Sequence, residues 1–421
     1  MKHLSAMQNE TTETGRLQIN VTSSANSYPV ADAQIAISYT GVPENTLEML
    51  TTDSSGQTET IELGAPPEEW SLNPDNERQP YSEYTLDISA PGFEPVSISG
   101  AEILANTKAI QNVRMRPSDT GREEEEVFVI PAHTLYGQYP PKIAEDEIKP
   151  TNETGEIVLS RVVVPEYIVV HDGSPRDSTA TDYYVKYKDY IKNVASSEIY
   201  ATWPANTIRA NVLAIMSFTL NRVYTEWYRN RGYDFTITSS TAFDQKWIPE
   251  RNIYESISVI VDELFGNYLS RPNVRQPILT QYCDGKRVSC PNWMTQWGAK
   301  ELGDQGLSAI EILRYFYGDD MYINTAQEIS GIPSSWPGYT LQQGASGAKV
   351  RQMQEELNVI AGAYPALPKI SADGIYGPAT ENAVRKFQSV FGLPVTGDVD
   401  YATWYKISEI YVGVSRIAEL T

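Results

Sequence analysis

Residues 187–224 read YKDYIKNVASSEIYATWPANTIRANVLAIMSFTLNRVY. From Ala205 onward, Ile208, Val212, Ile215, Leu220, Val223, Tyr224 and then Trp227 recur on one side of a 3.6-residue period, which predicts a helix with one buried face. Pro204 stands at its start. A proline has no N–H to give the preceding turn and its ring clashes there, so an unbroken helix from Glu198 to Arg209 is not expected. Glu198 follows the small residues Ala195, Ser196 and Ser197 and precedes Ile199, Tyr200 and Trp203. Two readings stand side by side. It is an ordinary surface glutamate of a helix, or a carboxyl among apolar and aromatic groups. Such a carboxyl tends to stay protonated at neutral pH, as a general acid must.

Outward from this stretch, residues 162–335 read as one mixed α+β domain. Val162 to His171 is an apolar run of strand type, and Ile253, Ile257, Ile260, Leu264 and Tyr268 trace a second helix face. Ser308 and Glu311 form a capping-box pair ahead of Ile312, Leu313 and Phe316. Trp293, Gln296 and Trp297 either line a groove or pack in the core.

Residues 1–118 differ. Leu17, Ile19 and Val21, then Ile35 and Ile37, then Leu86 and Ile88, alternate at period two, separated by turn signals such as Asp53-Ser54-Ser55-Gly56 and Pro91-Gly92. This predicts an antiparallel, all-β sandwich of about seven short strands. Residues 119–161 hold Glu123 to Glu126 and four spaced prolines, and read as a solvated acidic linker open to proteases. Residues 336–421 read as a compact three-helix unit, with Val350, Met353 and Leu357 on one face and Ala383, Val384, Phe387 and Val390 on another. Gly374 and Gly377 lie in the turn between them.

Composition narrows the function. The 421 residues are 41% apolar and 21% charged, a globular mix sufficient for several domains. The net charge is −21, with −10 on residues 1–118 and −6 on 119–161. That argues against nucleic acid and against polybasic anchoring to lipid. The longest uncharged helical stretch, Ala210 to Leu220, is too short to cross a bilayer, so no membrane insertion is expected. The N-terminal MKHLSAMQNETTE has no apolar core, so no standard signal peptide is expected. Cys283 and Cys290 either close a small loop or stay free, with free thiols favoured. Three scattered histidines and the absence of HExxH, CxxC and P-loop patterns speak against zinc hydrolysis and P-loop chemistry.

Several stretches resemble known families. The order VADAQIAI, TDSSGQT, YTLDISAPGFEP (residues 30–37, 52–58 and 84–95) resembles the transthyretin-like, carboxypeptidase-regulatory type of domain, which implies a structural or interaction module. LQQGASGAKVRQMQEEL (341–357) with ADGIYGPATENAVRKFQSVFGLPVTGDVDYATW (372–404) resembles the type 1 peptidoglycan-binding domain. That implies a module holding cell-wall glycan or stem peptide, with Asp373, Tyr376 and Gln388 as candidate contacts. For Asp373 a turn-stabilising role is the favoured reading over ligand contact.

YIKNVASSEIYATWPANTIRANVLAIMSFTLNRV (190–223) with MTQWGAKELGDQGLSAIEILRYFY (294–317) resembles the stage II sporulation protein D family. The resemblance implies a lytic transglycosylase with Glu198 as its catalytic acid. It places Arg209 at a family lysine, with Tyr200, Trp203, Asp284, Gln296 and Trp297 as candidate substrate contacts. A basic family position is Met216 here, the family's Cys/His metal-ligand elements are missing, and a serine-rich turn is replaced by Tyr282-Cys283-Asp284-Gly285. No metal and no cofactor are therefore inferred.

The order of the parts resembles the clostridial spore cortex-lytic enzyme precursors. This implies a zymogen stored in the spore, at the cortex or the coat–cortex boundary. A germination protease of subtilisin type would cut it between about Pro141 and Val162, and the partner would be cortex peptidoglycan, degraded during germination. Muramidase or glucosaminidase activity, and non-catalytic wall binding, are the competing readings.

Overall fold

The computed structural model describes residues 13–118, 125–149, 159–331 and 335–415. Strand β1 (Glu13–Ser23) buries Leu17, Ile19 and Val21 and leaves the alternate residues outside, as a period-two strand does. Strands β2 (Gln34–Tyr39), β3 (Thr46–Thr51), β4 (Ile61–Ala65), β5 (Ser82–Ser89), β6 (Val96–Ile103) and β7 (Lys108–Met115) follow. β1 lies between β4 and β7 in one sheet, and the facing sheet runs β3-β2-β5-β6. The expected antiparallel sandwich is thus mixed, because β1 and β7 pair in parallel from Arg16↔Lys108 to Ser23↔Met115. The turn at Asp53 is closed by its carboxylate, which accepts from the N–H groups of Ser55 and Gln57. Gly56 there has φ +71°, and a Cβ would meet the Val21 carbonyl oxygen at 2.3 Å, so only glycine fits.

The acidic, proline-rich segment is not the solvated linker its composition suggests. Residues 126–129 form β8 (Glu126–Val129), a parallel neighbour of β6. The chain to Lys149 then runs as an extended strap across the central region. Its prolines block helix, but two of its acidic groups are paired with arginines of the central region, one of them buried. Glu145 pairs with Arg222, and Glu147 pairs with Arg271. Part of the stretch in which the processing cut is expected, residues 150–158, lies outside the described residues.

In the central region β9 (Tyr167–His171) pairs with β10 (Asp182–Lys186) and β11 (Ile237–Thr238). Helix α1 (Tyr187–Glu198) follows β10 directly and ends at Glu198. Helix α2 (Ala205–Tyr224) starts after Pro204, as the proline requires. It is buried on every side from Ala210 to Tyr224, not on one face. Helices α3 (Glu255–Leu264), α4 (Gln296–Asp304) and α5 (Ala309–Tyr317) pack around it with α1. The second expected helix face is divided. Ile253 belongs to β12 (Ile253–Tyr254), and Tyr268 belongs to the strand Asn267–Ser270. The Ser308–Glu311 capping box is present at the start of α5.

β12 pairs with β7, so the central region supplies one strand to the N-terminal sheet. Beside that seam Arg251 grips the Glu102 carboxylate with both guanidinium nitrogens at 2.6 Å. Asn252 exchanges two hydrogen bonds with the backbone of Glu102.

The C-terminal unit has the three expected helices, α6 (Ala348–Ala363), α7 (Pro378–Val390) and α8 (Tyr401–Ser415). Val350, Met353, Leu357, Val384 and Phe387 form its core. It touches both other regions. Glu409 pairs with Lys188 of α1 at 2.7 Å, and Gln57 donates to the Val390 carbonyl at 2.6 Å. Among the described residues no helix is long and apolar enough to cross a membrane.

Candidate functional site

Glu198 is the last residue of α1 and is 3% exposed. One carboxylate oxygen accepts from the Lys246 backbone N–H at 2.7 Å and the other from the Tyr282 hydroxyl at 2.5 Å. The direction of the second bond follows from Gln245. Its amide oxygen accepts from Tyr190 and Thr219, so its NH₂ faces the Ile215 carbonyl and the Tyr282 oxygen. Tyr282 therefore accepts from Gln245 and spends its own proton on Glu198.

Burial raises the Glu198 pKa above the ordinary carboxylate value. Lys142, the Lys246 N–H and the Tyr282 hydroxyl oppose the rise without cancelling it. Tyr282 is pushed up by burial and then by the Glu198 charge, so it stays a donor. Such a carboxyl keeps its proton to higher pH than an exposed glutamate and is aimed by two fixed donors.

The cavity at Glu198 is lined on the central side by Thr241, Tyr282, Asp284 and Gln296, and on the other by strap residues Thr134, Gly137, Tyr139, Pro140 and Lys142. About 60 Å³ stays open, room for about two waters at ~30 Å³ each. Gln296 donates to the Glu198 carbonyl at 3.0 Å and so holds the helix end. Both oxygens of Asp284 are taken by the N–H groups of Arg287 and Val288, 2.7 and 2.8 Å away. It shapes a turn at the cavity wall rather than presenting a free carboxylate. That turn is closed by a disulfide between Cys283 and Cys290, which corrects the free-thiol expectation. The two cysteines stand at the ends of a loop folded on Asp284, so their separation of 7 residues becomes a Cα distance of 6.1 Å.

Tyr200, Trp203 and Trp297 come together beside this cavity. The Trp203 and Trp297 rings are 4.9 Å apart, and Tyr200 meets Trp203 edge-on at 5.9 Å. None of the three lines the Glu198 cavity itself. Arg209 does not join the site. It lies on α2 beyond the Pro204 break and pairs with Glu263 at 2.5 Å, so the role suggested by the family lysine is not supported by its position.

In the C-terminal unit Tyr376 and Gln388 are buried and bonded within the fold, while Asp373 closes a turn at the exposed surface. Asp373 accepts from the Ile375 N–H at 2.8 Å and from Gln354 at 3.2 Å, closing its turn. Those donors hold its carboxyl below the usual range. Tyr376 is 1% exposed and donates to the Gly397 carbonyl. Gln388 is fully buried and bonds with Thr396, Thr403 and the backbone of Asp398. Their polarity serves loop closure, leaving no donor aimed at solvent.

The sequence reading missed Tyr282 as a site residue, together with Gln245, Lys246 and Lys142. Tyr282 was visible only as part of a turn that departs from a family pattern. Lys142 lay in a segment read as linker.

Comparison with known proteins bears on the C-terminal unit. Residues 346–407 match the family described as a putative peptidoglycan binding domain. The zinc D-Ala-D-Ala carboxypeptidase of Streptomyces albus G is 43% identical over 77 residues, which is 18% of this chain and 28% of that protein. The chain thus spans under a third of that relative's length. The SleB N-terminal domain is 31% identical over 18% of this chain and 99% of that one, with a TM-score of 0.16. The 5-hydroxyisourate hydrolase of Klebsiella pneumoniae is 16% identical over 24% of this chain and 91% of that one, with a TM-score of 0.17. Peptidoglycan is accordingly the partner that the C-terminal module indicates.

Proposed function

We propose that this chain is the precursor of a spore cortex-lytic enzyme that cleaves peptidoglycan glycan strands as a lytic transglycosylase, with Glu198 as its single acid and base. The observation that carries the reading is the Glu198 site: a buried carboxyl with raised pKa, aimed by Tyr282 and the Lys246 N–H, on a chain that also bears a peptidoglycan-binding module.

In this reaction the acid form of Glu198 protonates the glycosidic oxygen as the bond to the muramyl C1 breaks. The carboxylate then takes the proton of the muramyl 6-hydroxyl while that oxygen bonds to C1. A 1,6-anhydro ring results, and Glu198 regains its proton. One carboxyl suffices, whereas a hydrolase ordinarily uses two at a defined spacing. The local carboxylates favour the former. Asp284 is saturated by backbone donors, and Asp244 is held by Arg222, Tyr228 and Thr238.

The precursor reading rests on the strap, which stands over Glu198 until the chain is cut after it. A protease of subtilisin type would release it by cutting between about Pro141 and Val162 when the spore, which stores the precursor at the cortex, germinates. The test is mass spectrometry of decoated cortex treated with the chain cut before Val162. Anhydro products, one water lighter than hydrolytic muropeptides and inert to borohydride, are expected. Reducible products of normal mass mean a muramidase or glucosaminidase, and no products mean a wall-binding protein without catalysis.

A further inference from the structure

Between its ion-paired end and β8, the strap does more than pass over the cavity. Thr134 donates both its backbone N–H and its hydroxyl to the carbonyl of Ser197, the residue before Glu198. The His133 ring lies on the Tyr200 ring at 4.5 Å with 29° between planes. Leu135 donates its N–H to Nδ1 of His133, which needs that nitrogen unprotonated, and burial lowers the His133 pKa in agreement. A neutral flat ring therefore covers the aromatic cluster. Beside it the Trp203 indole N–H donates to the Ser71 carbonyl, and the Ser71 hydroxyl bonds with Thr202. At the far end Lys142 donates to the Asp244 carbonyl and lies over the Tyr282 ring at 5.2 Å, facing Glu198 across the open space. Glu198, Asp244 and Glu145 attract its ammonium, and Arg222 repels it. Ile143, next along, donates to the Ala242 carbonyl at 2.7 Å.

Each of these contacts has the chemistry of a sugar contact. Aromatic rings stack on the apolar face of a pyranose, and indole N–H groups and backbone carbonyls bond hydroxyls and acetamides. A buried carboxyl acid must face its substrate at the place where Lys142 now stands.

We propose that residues His133 to Lys142 are a self-ligand lying along the glycan groove, with the His133 ring on Tyr200 and the Lys142 ammonium at Glu198 occupying places that sugar rings of the strand would take. The strap and a glycan strand of alternating N-acetylglucosamine and N-acetylmuramic acid then exclude one another. The inference rests on the reading of Glu198 as the glycan-cleaving acid and adds how that site is closed. Blockade is chemical as well as steric. The ammonium favours the ionised form of Glu198, so departure of the strap both opens the groove and takes that opposing charge away from the acid.

The test uses the full-length chain throughout. A reduced four-sugar fragment of the glycan strand is titrated by calorimetry into the wild type, into Lys142→Glu, and into the double variant His133→Ala with Lys142→Met. Lys142→Glu sets a fourth carboxylate against Glu198, Asp244 and Glu145 and drives the strap out. The double variant removes the ring and the charge without adding repulsion, so it reports even where Lys142→Glu fails to fold. Amide exchange of residues 133–143 is followed in parallel. Lys142→Glu is expected to bind about a hundredfold more tightly than the wild type, and the double variant about tenfold. Bound sugar should also strip protection from the Thr134 and Ile143 amides. Equal affinity in all three chains, no binding by a variant whose strap amides exchange freely, or sugar bound with those amides still protected, each overturns the inference. Binding in the expected order with no cleavage by any form removes the proposed reaction and leaves the self-ligand standing. Cleavage by a wild-type chain that binds as well as its variants removes the self-ligand alone.

Discussion

A carboxyl stripped of water but supplied with two donors is pulled in opposite directions, and at Glu198 burial wins. The acid form therefore survives to higher pH than for an exposed glutamate, and activity should fall as pH rises through that elevated pKa. Tyr282 donates to the ionised form, so Tyr282→Phe removes support from the base and raises the pKa further. The alkaline limb of the pH–rate profile should move to higher pH, and the rate should drop about tenfold as the carboxyl loses its aim. An unmoved limb with the same drop would make Tyr282 a packing residue only. Glu198→Gln keeps the shape and removes the proton, and should cost about 10²–10⁴ in cortex digestion. Digestion at the wild-type rate would take Glu198 out of the reaction. Glu198 could be singled out because a short motif carried it. Gln245 and Lys246 could not, because they reach the site from a loop some 48 residues away, and spacing along the chain says nothing about such closures.

Elements were read where one principle governs them. β1, the α5 capping box and the three C-terminal helices follow alternation, capping and helical period in turn. The strap was misread because proline and glutamate content reports only that a segment is not helical and not self-burying. It does not report arginines waiting on another element, as Arg222 and Arg271 wait for Glu145 and Glu147. Within the C-terminal module one side chain joins two elements. Gln354 of α6 accepts from the Gly374 N–H and donates toward Asp373, the Ile375 carbonyl and Thr380 of α7. Gln354→Ala leaves those groups buried and unpaired, and should cost the module about 2–3 kcal/mol. The measurement is urea unfolding followed at Trp404, with peptidoglycan retention assayed below the transition. A midpoint unchanged from wild type would show that water replaces the amide at no cost.

Across the whole molecule the N-terminal sheet and the central region share a strand pairing and the buried Glu102–Arg251 pair. Removing one partner of such a pair strands the other charge, so Glu102→Ala should destabilise the intact chain by about 3–5 kcal/mol, whereas replacing both with methionine should cost far less. The same seam sets a pH dependence. Burial raises Glu83 to about 7, with Glu102 adding to the rise and Arg251 opposing it. Burial likewise raises Glu250 to about 7, opposed by Arg114 and assisted by Glu126. An unfolded glutamate titrates near ~4.3, so the folded chain holds these protons more tightly between that value and about 7. Their contribution to stability is full below ~4.3 and is lost as pH rises through 7. Carboxylates held low by lysines, such as Glu409 beside Lys188 and Lys406, act in the opposite sense, and only at more acid pH. Thermal midpoints should therefore fall from pH 5.5 to pH 8, and Glu83→Gln with Glu250→Gln should flatten that slope by raising the pH 8 midpoint more than the pH 5.5 midpoint. A slope that survives both substitutions would place the titrating groups elsewhere. A slope that vanishes would mean that rising pH loosens the seam holding the N-terminal region, and with it the strap, over Glu198.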